Sequence, residues 1–294
     1  MAVTIGGRRL ILAASALAAA LGLVSPAAAA PAQPVEYVNL GDSFSAGSGV
    51  YPVVPMAVSQ CMQSERNFSH IVAQELGYHL TDVSCGGAKT EDFYAPQHPG
   101  TRAQLDALTP TTELVTLMIG GNNNNTFGGA MASCIGAMIT RPGALDPCRA
   151  QYGASLSEPI ETQTYPALVK ALGDIRAKSP RAQIVIAGYP WLLPASGSCA
   201  PQMPIAPGDV PYLRDLQATL NDTVRRAAQE TGATFVDMSQ VSEGRDGCKP
   251  VGERWIEPML FATQPVPVHP NADGERALAV EVLKAIGAGN AQTG

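Results

Sequence analysis

Serine becomes a useful nucleophile only beside a base, with hydrogen-bond donors placed for the oxyanion that its attack creates. Ser43 stands in GDSFSAG (residues 41–47), directly after the apolar stretch VEYVNL (35–40). A strand giving way to a helix at that point exposes the hydroxyl and turns the Ser43 N–H toward a ligand. The α/β-hydrolase elbow reads G-x-S-x-G, and Ser45 in the fifth position breaks that pattern. Of the four histidines, His70 falls in a helical pattern, His79 opens an alternating stretch, and His98 sits in an unpatterned loop. His269 differs, because Pro265, Pro267 and Pro270 stiffen the chain around it. A rigid loop suits a base that must be held to a fraction of an ångström. Gly87 can bring its N–H close to a ligand for want of a side chain, Asn122 can donate from its amide, and the Ser43 N–H makes a third donor. Each residue also has an ordinary reading: turns at Ser43 and Gly87, an Asx turn in the asparagine run 122–125, an exposed loop histidine at 269.

The elements that would position these residues alternate in type. Short apolar runs at 36–40, 79–84, 113–119, 183–187 and 233–237 read as five strands. Helical patterns cover 67–76, closed by Gly77; 159–178, opened by Pro159; 211–231, closed by Gly232; and 271–286, capped by Asn271 and closed by Gly287. Strands that alternate with helices imply right-handed crossovers and a mostly parallel sheet covered on both faces. Ligands bind such sheets beyond the carboxyl ends of the strands. Gly41, Asp42 and Ser43 follow the first strand, Cys85 to Gly87 the second, and Gly120 to Asn122 the third. Proline and glycine gather at 190–211 and 249–271, predicting long surface excursions that shape a cleft.

The amino terminus carries Arg8 and Arg9, an apolar core of 15 residues from Leu10 to Val24, and the small residues Ala27 to Ala30. A bilayer span needs about 20 residues, so this layout predicts a secretory signal peptide (residues 1–29) cleaved after Ala29, not a retained anchor. Residues 30–294 then form a single domain. A formal charge of −6 without any Lys/Arg cluster argues against a nucleic-acid partner and against polybasic membrane docking. The six cysteines, none in a C-x-x-C pair or beside histidine, suggest disulfides in an exported chain and give no support to a zinc site. Six cysteines allow fifteen connectivities, of which the sequential Cys61–Cys85, Cys134–Cys148 and Cys199–Cys248 is the simplest.

Four ordered blocks carry a resemblance. GDSFSAG (41–47), SCGGAKT (84–90), IGGN (119–122) and VPVH (266–269) are similar to the four motif blocks of the SGNH, or GDSL-type, hydrolases, especially their secreted actinobacterial esterase and lipase branch. The resemblance extends from about Val35 to the last helix. It implies an α/β fold: a three-layer α/β/α sandwich on a flavodoxin-like, mostly parallel five-stranded sheet, with the same sequential disulfides. It also implies that Ser43 is the nucleophile, His269 the base, and Ser43, Gly87 and Asn122 the oxyanion hole. Two positions depart from the pattern. Members usually carry Asp after the third-block asparagine, where this chain has Asn123, which predicts a local change in turn geometry. Triad members carry Asp three residues before the histidine, where this chain has Val266. Some members of the branch use a backbone carbonyl there, which implies a Ser43–His269 dyad with the Val266 carbonyl orienting the imidazole. Asp237 and Glu257 are the carboxylates that could act in its place.

The reading is a secreted serine esterase that hydrolyses carboxylic esters through an acyl-enzyme, with no metal or organic cofactor. Its partner is a small-molecule or lipid ester, and the mature chain is expected to be an extracellular monomer without a stable membrane anchor. A lipase or phospholipase working at an interface, with Met259, Leu260 and Phe261 lining an acyl pocket, is the nearest rival; a carbohydrate deacetylase is another. From a different class, the chain could be a disulfide-stabilised binding protein that keeps the fold without catalysis.

Overall fold

The computed structural model describes residues 1–4, 6–7, 34–55 and 58–287. The expected signal peptide, 1–29, therefore lies outside the described residues apart from its first few positions. Among the described residues the strands and helices all belong to the compact unit Pro34–Gly294.

Five strands form one parallel sheet: β1 (Glu36–Gly41), β2 (His79–Asp82), β3 (Leu114–Met118), β4 (Gln183–Ala187) and β5 (Thr234–Val236), in the order β2-β1-β3-β4-β5. That is the flavodoxin-like order, and its switch point lies between β1 and β3. Every residue of β3 is buried, as its unbroken apolar run requires of a central parallel strand. Helices α2 (Phe68–Leu76) and α7 (Ala272–Ala285) pack on each other, and α5 (Tyr165–Lys178) packs on α6 (Asp209–Thr231). Asn67 caps α2 by accepting from the His70 N–H, and Asn271 caps α7 by accepting from Asp273 and Gly274. Gly77 and Gly232 end α2 and α6 in the left-handed conformation that glycine adopts without penalty.

Three differences from the sequence reading have local causes. The helix expected over 159–178 opens with a π-wound turn, Ile160–Thr164, before α5 proper. Pro166 has no N–H to donate, so the regular ladder restarts around it. Helix α6 begins at Asp209, two residues before the expected start, with Pro211 tolerated in its first turn. A long helix, α3 (Thr126–Thr140), and a short one, α4 (Pro147–Tyr152), stand where no helix was expected. Gly128, Gly129 and Gly136 lower the helix propensity of α3, and packing against neighbouring elements outweighs it.

Disulfides join Cys61 to Cys85, Cys134 to Cys148 and Cys199 to Cys248. The first fixes the turn after β2, the second ties α3 to α4, and the third staples the two long irregular stretches on either side of α6 and β5. Among the described residues no helix is long and apolar enough to cross a membrane.

Candidate active site

Gly41 closes β1 at φ +117°, and a Cβ there would lie 2.3 Å from the Met118 carbonyl oxygen. Only glycine lets β1 end this close to β3. The Gln104 side chain holds Gly41 from the other side, accepting from its N–H at 2.7 Å and donating to its carbonyl at 3.0 Å. The Asp42 N–H donates to Met118 O at 2.9 Å, and Ser45 Oγ accepts from the Met118 N–H at 2.7 Å. Ser45, the residue that breaks the familiar elbow motif, thus satisfies the end of β3. Ser43 opens the single-turn helix α1 (Ser43–Ala46), whose cap is Asp42, accepting from the Phe44 N–H at 2.9 Å. The first N–H groups of a helix have no partner within it, which leaves the Ser43 N–H available to a ligand.

His269 Nε2 lies 2.7 Å from Ser43 Oγ. Its Nδ1 lies 2.8 Å from the Pro267 carbonyl, which can only accept, so Nδ1 carries the proton and Nε2 is left to accept from the serine. The sequence reading assigned this acceptor to Val266, and the structure corrects it by one residue. The cause is Val268, at φ +58°, whose left-handed turn folds the imidazole back over the carbonyl two positions earlier. A β-branched residue is strained in that region and persists there only if its surroundings fix it. Here the Val268 N–H donates to Glu257 O at 3.0 Å, the Glu257 N–H donates to His269 O at 2.9 Å, and Gln264 Nε2 donates to Pro270 O at 2.9 Å.

Neither carboxylate considered for the third position takes it. The Glu257 carboxylate is occupied by Arg254 at 2.6 Å and by the Thr263 N–H at 2.6 Å. Burial works to raise its pKa, but the Thr263 N–H and Arg254 outweigh it and hold the group below the usual range. Asp237 is exposed and accepts from the Ser239 N–H at 2.8 Å. Desolvation lowers the pKa of His269, and the bond to Pro267 offsets only part of that. The imidazole is therefore neutral, and able to accept a proton, below the pH at which a free histidine would be.

The turn after β2 reaches the same corner. The Cys85 N–H donates to Gly41 O at 3.0 Å, tying this turn to the one that carries Ser43. Gly87 sits in it at φ +75°. Asn122, after β3, donates one amide hydrogen to Ala88 O at 3.1 Å, and its second is free for the cleft that the residue lines. Asn123 fastens this turn as well, accepting from the Thr90 N–H at 3.1 Å and donating to Thr90 Oγ1 at 2.6 Å. An aspartate could make both contacts with the hydroxyl reversed, which explains why asparagine fits here.

Sequence reasoning missed Tyr189, which follows β4. Its buried hydroxyl donates to Asp42 Oδ2 at 2.5 Å and accepts from the Gly121 N–H at 2.9 Å. One phenol thus joins the serine turn to the turn of Asn122. Burial raises Asp42 to a pKa of about 7, against the lowering effect of Tyr189 and the helix N–H groups, and burial raises Tyr189 as well. The ring meets Phe44 and Phe127 edge-on at 5.0 and 4.9 Å, and Phe44 lies 5.0 Å from the His269 ring. A lone tyrosine after a strand carries no motif, so only the three-dimensional arrangement reveals it.

Ser43 and His269 open onto a cleft of about 330 Å³. Apart from Asp42, Ser43, Asn122 and His269 its lining is uncharged and apolar, with Phe127, Met131 and Ile135 on one side and Leu192 and Met259 also contributing. Of the three residues considered for an acyl pocket, Met259 lines it, whereas Leu260 and Phe261 are exposed and outside it. His70 and His79 pair with Asp82 and Glu36 respectively. Among the described residues no cluster of three or more His, Cys, Asp or Glu could hold a metal ion.

The chain matches the model of the GDSL-like Lipase/Acylhydrolase family over residues 40–277. It is 52% identical over 274 residues to a Streptomyces coelicolor protein named Lipase 2, covering 91% of this chain and 92% of that one. It is 32% identical to a Streptomyces scabiei protein named Esterase, covering 95% and 94%. Among solved structures it is similar to an extracellular lipase from Streptomyces rimosus, with a TM-score of 0.71 and 25% identity over 85% of this chain and 99% of that one.

Proposed function

This chain belongs to the GDSL-like lipase/acylhydrolase family and is a carboxylic ester hydrolase, and we propose that it works through an acyl-enzyme on Ser43 with His269 as its base. The observation that carries the mechanism is the 2.7 Å contact between Ser43 Oγ and His269 Nε2, with the Nδ1 proton held by Pro267 O. Ser43 Oγ attacks the ester carbonyl carbon while its proton passes to His269 Nε2. The negative charge on the carbonyl oxygen is met by the N–H groups of Ser43 and Gly87 and the Asn122 amide. Collapse of this intermediate breaks the bond to the alcohol, which takes the proton from His269 Nε2. Water then attacks the acyl-Ser43 carbonyl with the same proton transfers in reverse, releasing the acid.

The imidazolium formed in each half-reaction faces a carbonyl dipole instead of a carboxylate. A carbonyl fixes the tautomer but stabilises the cation less, in keeping with the lowered pKa of His269. The apolar cleft favours an ester whose acyl part is a hydrocarbon chain over a compact polar one such as an acetylated sugar.

The enzyme acts outside the cell as a monomer. The charged start, short apolar core and small-residue cleavage site support export, as do the three disulfides. The dyad, the donors and the cleft all come from one chain, so a single copy suffices. Treatment with a fluorophosphonate followed by peptide mapping tests the mechanism: the adduct is expected on Ser43 and is lost in His269→Ala. A protein that hydrolyses esters with no adduct on Ser43 would overturn it.

A further inference from the structure

The cleft has a direction that its chemistry explains. When Ser43 has attacked, the carbonyl carbon carries four groups, and the site accounts for three of them. The serine oxygen is one, the oxyanion faces the Gly87 and Asn122 donors, and the departing alcohol must lie by His269 Nε2. The fourth is the acyl chain, and the wall left for it is α3. That helix begins just after Asn122, with Phe127 Cδ2 and Cε2 only 2.7 Å from where a Cβ on Gly121 would stand.

One flank of α3 is suited to a hydrocarbon chain. Phe127, Met131 and Ile135 recur every four residues along a ridge, and Gly128 and Ala132 run beside them, all lining the cleft. The small pair leaves a trough, and the larger residues form its wall. Helix α3 buries Ala130, Cys134 and Ala137, and Met131 of this flank is buried with them. Phe127 and Ile135 are half-buried and Gly128 and Ala132 exposed, so part of the apolar flank is left facing the cleft. The Cys134–Cys148 bridge holds the helix to α4.

We propose that this flank of α3 binds the acyl chain and that Ala132 marks the depth at which chain length is selected. The proposal rests on the acyl-enzyme reading given above. From Phe127 to Ile135 the helix rises about 12 Å at ~1.5 Å per residue. An extended chain of carbon–carbon bonds of about 1.5 Å advances roughly 1.3 Å per carbon, so the trough takes about ten carbons. Ala132 stands about 7 Å along it on the same rise per residue, near the fifth or sixth carbon. A cleft of about 330 Å³ suits one such chain, lying near the lower end of the ~300–1,000 Å³ usual for ligand sites.

Ala132 is exposed, so a larger residue there enters the trough without disturbing the core. The test compares kcat/KM on p-nitrophenyl esters from acetate to palmitate for the parent chain, Ala132→Trp and Ile135→Ala. The parent is expected to prefer acyl chains near ten carbons. Ala132→Trp should lower the ratio of kcat/KM on decanoate to that on butyrate by about 10²-fold or more, since each methylene excluded from an apolar pocket weighs about ten-fold or more. Ile135→Ala should shift the preference to chains longer than the parent's, raising the ratio of palmitate to decanoate turnover. Across a second series, butyrate esters of lengthening alcohols, Ala132→Trp should leave the parent's dependence on alcohol length unaltered in shape. Unchanged acyl preference in both variants, or a loss that grows with alcohol length instead, overturns the assignment. If Ala132→Trp is inactive on every ester, the Ile135→Ala profile decides. Ser43→Ala is the separate control: full activity there would sink the acyl-enzyme reading itself, while its silence with an unchanged chain-length profile in the other variants would sink only the trough.

Discussion

Removing one oxygen should show whether Tyr189 organises the site. Tyr189→Phe keeps the ring that packs against Phe44 and Phe127 and deletes the hydroxyl between Asp42 and Gly121. Asp42 then loses a hydrogen bond to a buried carboxylate, worth about 1.5–3 kcal/mol, and the Gly121 N–H loses its acceptor, at about 1–3 kcal/mol. The two losses share one atom and do not add in full, so about 3 kcal/mol is the expected fall in stability. For a domain of this size that corresponds to a drop in melting temperature of roughly 6–12 °C. If about half of that strain falls on the alignment of Ser43 with Asn122, kcat drops about ten-fold, since ~1.4 kcal/mol is one decade. KM should hardly change, because Tyr189 is not part of the cleft lining. The pH dependence is sharper. Asp42, raised from 3.8 to about 7, contributes stability that is present below pH 3.8 and lost as the pH rises through 7. The phenol works against that rise, so its removal costs a neutral hydrogen bond at pH 5 and a charge-assisted one at pH 9. Scanning fluorimetry across that range should therefore find a larger melting-point deficit at the alkaline end, alongside kcat and KM on p-nitrophenyl butyrate. A deficit independent of pH, or a raised KM with kcat unchanged, would refute the reasoning.

Three further outcomes follow from the same geometry. Asn122→Ala should fold normally and lose about 10²–10³ in kcat, the usual effect of removing one oxyanion donor, and near-normal turnover would exclude the amide from that role. The acid limb of kcat/KM should lie below pH 6.5, because burial lowers His269 and the neutral ring survives to lower pH; a limb above 6.5 would point to an undetected carboxylate partner. Glu257→Gln should leave an uncompensated buried Arg254, lowering stability by about 3–5 kcal/mol while kcat at a temperature well below melting stays within a few-fold of the parent. A loss of several decades in kcat would make Glu257 a participant in the chemistry.

The sheet was readable in the sequence because each strand is a short apolar run ended by a glycine or a polar turn, and those signals are local. The placement of Gly41, Gly87 and Asn122 beside strand ends was readable for the same reason, and the ends of parallel strands are where such a sheet gathers its ligands. What could not be read depends on contacts between distant parts of the chain. Tyr189 meets Asp42 across 147 positions, with nothing in either neighbourhood to announce the pairing. Helix α3 was hidden because its three glycines weaken the local signal, while the packing that stabilises it comes from α4 and α6. The orienting carbonyl was misplaced by one residue because the backbone angle of Val268 decides it. Nothing in the valine side chain predicts a left-handed conformation, and the contacts that impose it come from Glu257 and its neighbours.

On the proposed mechanism this ester hydrolase works without the acid of a triad, and the backbone carries that acid's orienting role. A carboxylate on a side chain can find the imidazole by rotating, so it tolerates some play in the loop. A backbone carbonyl has no such freedom, and the Nδ1 contact is only as good as the turn that makes it. The loop of His269 is fixed accordingly: Val268 is forced into a strained conformation, and the Glu257 backbone grips it on both sides. The Glu257 carboxylate in turn is locked by Arg254, Thr263 and Asn271. Glu257 thus serves the histidine through the main chain while its charge is spent elsewhere. A glycine at 268 separates these roles. It relieves the strained φ, which favours stability, but it enlarges the unfolded ensemble and loosens the turn, so the net change in melting temperature should be small. The catalytic effect should be larger, because a freer turn lets the imidazole leave the line between Pro267 O and Ser43 Oγ. Val268→Gly is therefore expected to lower kcat by about ten-fold, one decade for ~1.4 kcal/mol of lost alignment. An unchanged kcat in a stable Val268→Gly protein would mean that the carbonyl contact holds without the strained valine, and that the rigidity of this loop serves something other than the dyad.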